Sequence, residues 1–191
     1  MPTSRKTTAK TPAKTPKKTA AASAKAAASA PPKSASAALQ GKKAPAFALS
    51  DADGKTVALK DLIGSNNLVL YFYPRDMTPG CTVEACSFRD NLAPLRALGA
   101  KVVGISANSS DSHARFVAKH ALNFPLLADP GNQVCQLYGV YKKKSLYGRE
   151  FMGIERTTFV IDKAGVVRRV FPKVKVDGHT EEVIAALKEI G

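Results

Sequence analysis

Two cysteines five positions apart, Cys81 and Cys86, are the residues of this chain best suited to do chemistry. They lie in "YPRDMTPGCTVEAC", residues 73–86, and only one other cysteine, Cys135, occurs in the 191 residues. A thiol reacts as its thiolate, so one of the pair must be held ionised. The nearest histidine in sequence, His113, is far outside the segment. The segment itself supplies another means. With Thr78 as N-cap, Pro79 takes the first helical position, where proline is well tolerated. Cys81 then falls third, over the unpaired N–H groups and the positive end of the helix dipole. A cysteine placed there should be partly thiolate at neutral pH.

Cys86 follows in the same helix. In an ideal helix the two Cα atoms would stand about 8.7 Å apart, from a rise of ~1.5 Å per residue and a radius of ~2.3 Å. A disulfide needs less than about 7 Å. The spacing therefore suits a bond that forms and breaks in turnover, with local unwinding, rather than a permanent staple. The alternative is two small apolar side chains in a helix, since free cysteine is often buried. The Thr-Pro-Gly-Cys helix start argues against it.

The elements that must position this segment follow from pattern. "NLVLYFYP" (67–74) reads as a central strand covered on both faces. Residues 79–98 read as one helix, with Gly99 as its stop. "KVVGIS" (101–106) is a second buried strand, residues 111–122 a capped helix, and "FPLLAD" (124–129) a third strand. Residues 131–140 hold a short helix, and Arg156–Pro172 a hairpin turning at 162–165. Residues 179–190 form a last amphipathic helix capped by Thr180. Upstream, "DADGK" (51–55) turns between two short strands. This order implies an α/β fold, a mixed central sheet with helices on both faces, for which a thioredoxin-like architecture fits.

With these residues in place, the segment closely resembles the active-site loop of the peroxiredoxins: proline, three residues, Thr or Ser, two residues, cysteine, here Pro74, Thr78 and Cys81. A second cysteine five positions on is similar to the peroxiredoxin Q subfamily, also called bacterioferritin comigratory protein. "ERTTFVID" resembles the segment carrying that family's active-site arginine, here Arg156. The resemblance runs from about Ala44 to Gly191 and implies a thioredoxin-fold thiol peroxidase acting on hydrogen peroxide and alkyl hydroperoxides. It implies that Cys81 attacks the O–O bond and becomes a sulfenic acid, that Cys86 resolves it as an intramolecular disulfide, and that a thioredoxin-type dithiol reduces the product. No metal, haem, flavin or other cofactor is called for. Arg156, the Thr78 hydroxyl and the Cys81 N–H are expected as donors to the leaving oxygen. Pro74 is expected to cover the sulfur, and Glu84 to assist the local hydrogen bonding.

Composition sets the remaining expectations. Residues 1–43 hold ten of the 29 Lys and Arg and none of the 15 acids, so the net charge of +14 belongs mostly to this segment. Poor in large apolar residues, it reads as a disordered basic tail ahead of a 44–191 domain. Its repeats resemble linker-histone-like tails and suggest non-specific DNA binding through residues 1–43. A solubilising extension is the plain alternative; a transit peptide fits less well, because the segment is Lys- and Pro-rich with a single arginine. A second function class follows, a DNA-associated structural or redox-sensing protein acting through the tail.

Three cysteines make no full disulfide framework and show no zinc spacing, which suits a reducing compartment. With no 18-residue apolar run and no signal-like segment, the expectation is a cytoplasmic monomer without membrane contact, nucleoid-associated through its tail, or nuclear in a eukaryote. Cys135 is expected to be buried and structural, with an alternative resolving role. His113, His120 and His179 are expected in solvated or capping positions, and Lys142–Lys144 in a surface loop.

Overall fold

The computed structural model describes residues 35–146 and 148–190. The expected disordered and DNA-binding segment lies, up to residue 34, outside the described residues. The elements are β1 (Ala48–Ser50), β2 (Thr56–Ala58), α1 (Leu59–Leu62), β3 (Asn67–Phe72), α2 (Pro79–Asp90), α3 (Leu92–Ala97), β4 (Ala100–Ser106), α4 (Ser110–His120), β5 (Leu126–Ala128), α5 (Gln133–Leu137), β6 (Tyr141–Leu146), β7 (Arg149–Ile154), β8 (Thr157–Ile161), β9 (Val167–Pro172) and α6 (His179–Ile190). Seven strands form one mixed sheet in the order β2-β1-β5-β4-β3-β8-β9, and β6 and β7 form a separate hairpin.

β3 is buried along its whole length, as an apolar run in a sheet covered on both faces must be. It pairs in parallel with β4 and antiparallel with β8. One face of the sheet packs Val69, Tyr71, Phe88, Leu95, Phe116 and Leu187, bringing in α2, α3, α4 and α6. The other packs Leu70, Phe72, Val103, Cys135, Tyr138 and Phe159, bringing in α1 and α5. The thioredoxin-like fold is thus present, with its functional loop leaving the carboxyl end of the central strand.

Three expectations are corrected. The single helix over 79–98 is two helices that meet at Asn91, which has φ −99° and ψ 13°. Pro94 is the cause: it has no N–H to give the Asp90 carbonyl, and its ring crowds that turn. Gly99 does end the second helix, in the left-handed conformation at φ +66°. Lys142–Lys144 lie in β6 rather than a loop; Lys142 pairs with Glu155 at 2.7 Å and Lys143 with Glu150 at 2.6 Å.

The third correction is the domain boundary. Residues 37–39 form a 3₁₀ turn, the Gly41 N–H donates to the Val167 carbonyl at 2.8 Å, and the Val167 N–H donates to Lys42 at 2.9 Å. Ser36 is fully buried. Gly139 must be glycine here, because a Cβ would come 2.6 Å from Ala35. The folded body therefore reaches back at least to Ala35, not to residue 44. The link escaped the sequence reading because its bonds are made by backbone groups, which small residues such as Ala and Gly do not advertise.

Candidate active site

The register of the sheet assembles the site. Phe72, the last residue of β3, is paired with Thr157, the first of β8. Arg156 therefore stands beside the start of the loop that carries Pro74, Thr78 and Cys81, although 75 residues separate it from Cys81. Thr78 is extended at φ −83° and ψ 148°, with Pro79 beginning α2. Cys81 falls in the first turn and is 2% exposed. Arg156 Nη2 donates to Cys81 Sγ at 3.2 Å. The sulfur is therefore held between a helix N-terminus and a guanidinium, two sources of positive potential.

The other arm of Arg156 is occupied. Its Nη1 donates to Oε2 of Glu84, one turn along α2 and almost wholly buried. Burial pushes the Glu84 carboxyl up to about 7, against the pull of the Arg156 charge and hydrogen bond. Glu84 Oε1 is buried without a hydrogen-bond partner. One guanidinium thus serves a thiol and a buried carboxyl, in the fork geometry that arginine alone provides. Glu84 is more central than the assisting role expected for it. Its position three residues after Cys81 puts the two on one helix face.

Thr78 departs from expectation. Its hydroxyl makes no capping bond in α2 and donates to the Arg75 carbonyl at 3.1 Å. With the proton committed there, Oγ1 keeps lone pairs that can accept a hydrogen bond. Pro74 is exposed at the head of the loop. Cys86 lies half-buried within unbroken α2, and all three cysteines are free thiols. Cys135 is fully buried; desolvation first, then the nearby Asp129 carboxylate, raise its thiol far above the usual range. That environment makes it inert.

A network beneath the loop was not anticipated. Asp76, 5% exposed, accepts hydrogen bonds from Tyr73 Oη at 2.7 Å and Ser112 Oγ at 2.6 Å, and its carboxylate lies 3.0 Å from His113 Nδ1. Burial pushes this carboxyl up, but bonds from His113, Ser112 and Tyr73 outweigh it and hold it below the usual range. The network ties the loop to α4, and the Asp76 N–H donates to Asn108 Oδ1 at 3.1 Å, which also accepts from Ser106 at the end of β4; the neighbouring Met77 has φ +59°, a left-handed conformation unusual for methionine.

His113 is therefore fully buried rather than solvated, and His179 is buried with Nε2 2.8 Å from Thr158 Oγ1. The apolar face of α4 around Phe116 was the available signal for His113. No group of three or more His, Cys, Asp or Glu fit to hold a metal occurs among the described residues. No described helix is long and apolar enough to cross a membrane.

Comparison with known proteins agrees with this architecture. The AhpC/TSA family model matches residues 40–170. A putative peroxiredoxin bcp of Coxiella burnetii is 50% identical over 147 residues, covering 77% of this chain and 97% of that protein. Peroxiredoxin Bcp of Escherichia coli K12 is 46% identical over 149 residues, 78% of this chain and 95% of its own. Among solved structures, Xanthomonas campestris bacterioferritin comigratory protein, described for its alkyl peroxide reduction activity, superposes with a TM-score of 0.72 at 41% identity, over 75% of this chain and 91% of that one. Mycobacterium tuberculosis BcpB gives 0.72 at 36% identity, over 80% and 98%. The chain belongs to the AhpC/TSA family, as a peroxiredoxin of the Bcp, or peroxiredoxin Q, type.

Proposed function

We propose that this peroxidase reduces hydrogen peroxide and organic hydroperoxides at Cys81, that Cys86 resolves the product within the same chain, and that a thioredoxin-type dithiol restores both thiols. The observation that carries the reading is the 3.2 Å contact of Arg156 Nη2 with Cys81 Sγ at the start of α2. The Cys81 thiolate attacks one peroxide oxygen; the S–O bond forms as the O–O bond breaks, and the electron pair leaves on the second oxygen. Arg156 and the Cys81 N–H stabilise that departing charge. Thr78 Oγ1 accepts from the hydroperoxide O–H and orients it. Pro74, lacking an N–H, keeps the loop from offering the sulfur a competing donor.

Resolution follows when Cys86 displaces hydroxide from the Cys81 sulfenic acid, and the hydroxide leaves as water after taking up the thiol proton. The intact helix keeps the two sulfurs apart, so α2 must unwind locally first. Cys135, sealed in the opposite face of the sheet, takes no part.

The protein is proposed to act as a monomer in the cytoplasm. Residues 1–43, with ten basic residues and no acid, favour a second property, salt-sensitive DNA binding that holds the peroxidase near nucleic acid. Mass spectrometry of peroxide-treated full-length protein tests the chemistry. A Cys81–Cys86 bond within one chain is expected. A Cys81–Cys135 or intermolecular bond as the main product would reassign the resolving role.

A further inference from the structure

The buried network beneath the active-site loop shares no hydrogen bond with Cys81, Glu84 or Arg156 among the described residues. Its members are nevertheless placed to govern where those groups stand. Asp76 lies two residues before Thr78, and both its backbone and its side chain are tied down. Its N–H donates to Asn108 Oδ1, and Asn108 Nδ2 donates in turn to Ser112 Oγ at 3.2 Å. Its carboxylate is the common partner of Tyr73, Ser112 and His113. Ser112 and His113 belong to the first turn of α4, whose dipole also favours a carboxylate there. His113 carries the tie further. With Nδ1 on Asp76, its Nε2 lies 3.2 Å from the Leu127 carbonyl in β5. The fully buried ring is therefore a strut between the loop and the sheet.

The fit where this tie leads is close. Gly80, in the first turn of α2, stands against Arg156: a Cβ there would come 3.3 Å from Nη2, the atom that donates to Cys81 Sγ at 3.2 Å. Between Asp76 and Gly80 stand three residues, Met77 at φ +59°, Thr78 extended, and Pro79 with the φ its ring fixes. The connection is short and stiff, so a shift of Asp76 passes to the start of α2 rather than being absorbed. Removing the carboxylate would also leave Tyr73, Ser112 and His113 without their shared acceptor.

We propose that Asp76 and His113 are positioning residues, a buried latch that holds the start of α2 against Arg156 for the reaction with peroxide and resists its unwinding for resolution. The inference rests on the reading of Cys81 as the attacking thiol and Cys86 as the resolving one. Loss of the latch then moves the two steps in opposite directions. Sulfenic acid forms more slowly, because Cys81 is no longer preorganised beside the guanidinium. The disulfide forms faster, because α2 opens more readily from its N-terminal end.

The test follows full-length protein through a single turnover with hydrogen peroxide, quenched and read by mass spectrometry. Sulfenic acid is the gain of one oxygen on Cys81; the disulfide is the loss of two hydrogens relative to the thiols. Asp76→Ala is expected to slow the first step on the order of ten- to a hundredfold. It should speed the second about two- to tenfold, the equilibrium effect of one net hydrogen bond. His113→Ala should do the same, and the double variant should add little, as coupled partners do. Asp76→Asn keeps the shape and an acceptor for Tyr73, so it should fold and show the same split to a smaller degree. Leu62→Ala, a cavity in α1 on the other face of the sheet, controls for lost stability and should move neither rate. Unchanged rates in the Asp76 variants, both rates moving in one direction, the same split in Leu62→Ala, or fully additive effects of Asp76 and His113 overturn the proposal. Wild type that forms no sulfenic acid would instead overturn the reading of Cys81, and wild type that forms it without a Cys81–Cys86 bond the reading of Cys86.

Discussion

At the scale of single residues, the site is organised around one guanidinium shared between Cys81 and Glu84. Cys81→Ser should fold, since the side chain is small and buried, and should have no peroxidase turnover, because the nucleophile is gone. Peroxide consumption with a thioredoxin system checks this, and persistent turnover would move the chemistry to another sulfur. Arg156→Met should slow sulfenic acid formation by about 10²- to 10³-fold, the usual effect of losing a preorganised transition-state donor. An unchanged second-order rate would place Arg156 outside the mechanism. Glu84 gives a stability prediction. Its folded-state value of about 7 lies above the ordinary value of 4.5, so between these pH values the folded protein holds more protons than the unfolded chain. Its contribution is therefore fully present below about pH 4.5 and lost as pH rises toward 7. Urea unfolding across this window should show wild type losing stability relative to Glu84→Gln. Parallel pH profiles for the two proteins would show that Glu84 does not titrate there.

At the scale of elements, the proposed chemistry asks α2 both to activate Cys81 and to yield so that Cys86 can reach it. Its construction allows this. Phe88, fully buried against Tyr71, anchors the second half, and the break at Asn91 separates α2 from α3. At the other end, the Asp76 network holds the preceding loop to α4. On the proposed chemistry, unwinding would be confined to the turns between Thr78 and Phe88. Oxidised protein should lose amide hydrogen-exchange protection over Val83–Cys86 while α3 and α6 keep theirs. Protection unchanged in α2 would mean that no Cys81–Cys86 bond had formed. Cys86→Ser should leave the first oxidation intact and divert the sulfenic acid to sulfinic acid, seen as a gain of two oxygens on Cys81 by mass spectrometry.

At the scale of the whole molecule, the basic N-terminal segment should matter for location and not for chemistry. If about five to eight of its charges reach phosphates, full-length protein should bind duplex DNA with a log–log salt slope on the order of −5 to −7. A chain beginning at Ala35 should keep the peroxidase rate and lose that binding; equal, weak binding by both forms would leave the segment as a solvated extension. A chain beginning at residue 44 is a poorer control. It removes the bonds of Gly41 and Lys42 to Val167 and uncovers Gly139, so it should melt at a lower temperature than the chain from Ala35.

What the sequence determined by itself is what depends on neighbours along the chain. The strand of Asn67–Phe72, the helix start at Pro79, the placing of Cys81 in its first turn and the hairpin closing at Gly165 all rest on local pattern and backbone stereochemistry. The break at Asn91 was legible too, in Pro94, but the apolar spacing on both sides masked it. The lysine run of β6 gave no strand signal, because a two-stranded hairpin with polar residues on both faces lacks the alternation that burial imposes. Only the tertiary structure decided what meets across the chain. The pairing of Phe72 with Thr157 brings Arg156 to Cys81. Burial, not spacing, made Glu84 a carboxyl of raised pKa and enclosed His113 with Asp76. Folding also turned the Thr78 hydroxyl onto the Arg75 carbonyl, a bond that its residue type alone does not indicate. Proximity, desolvation and the direction of a hydroxyl are properties of the packed molecule, and no stretch of residues carries them alone.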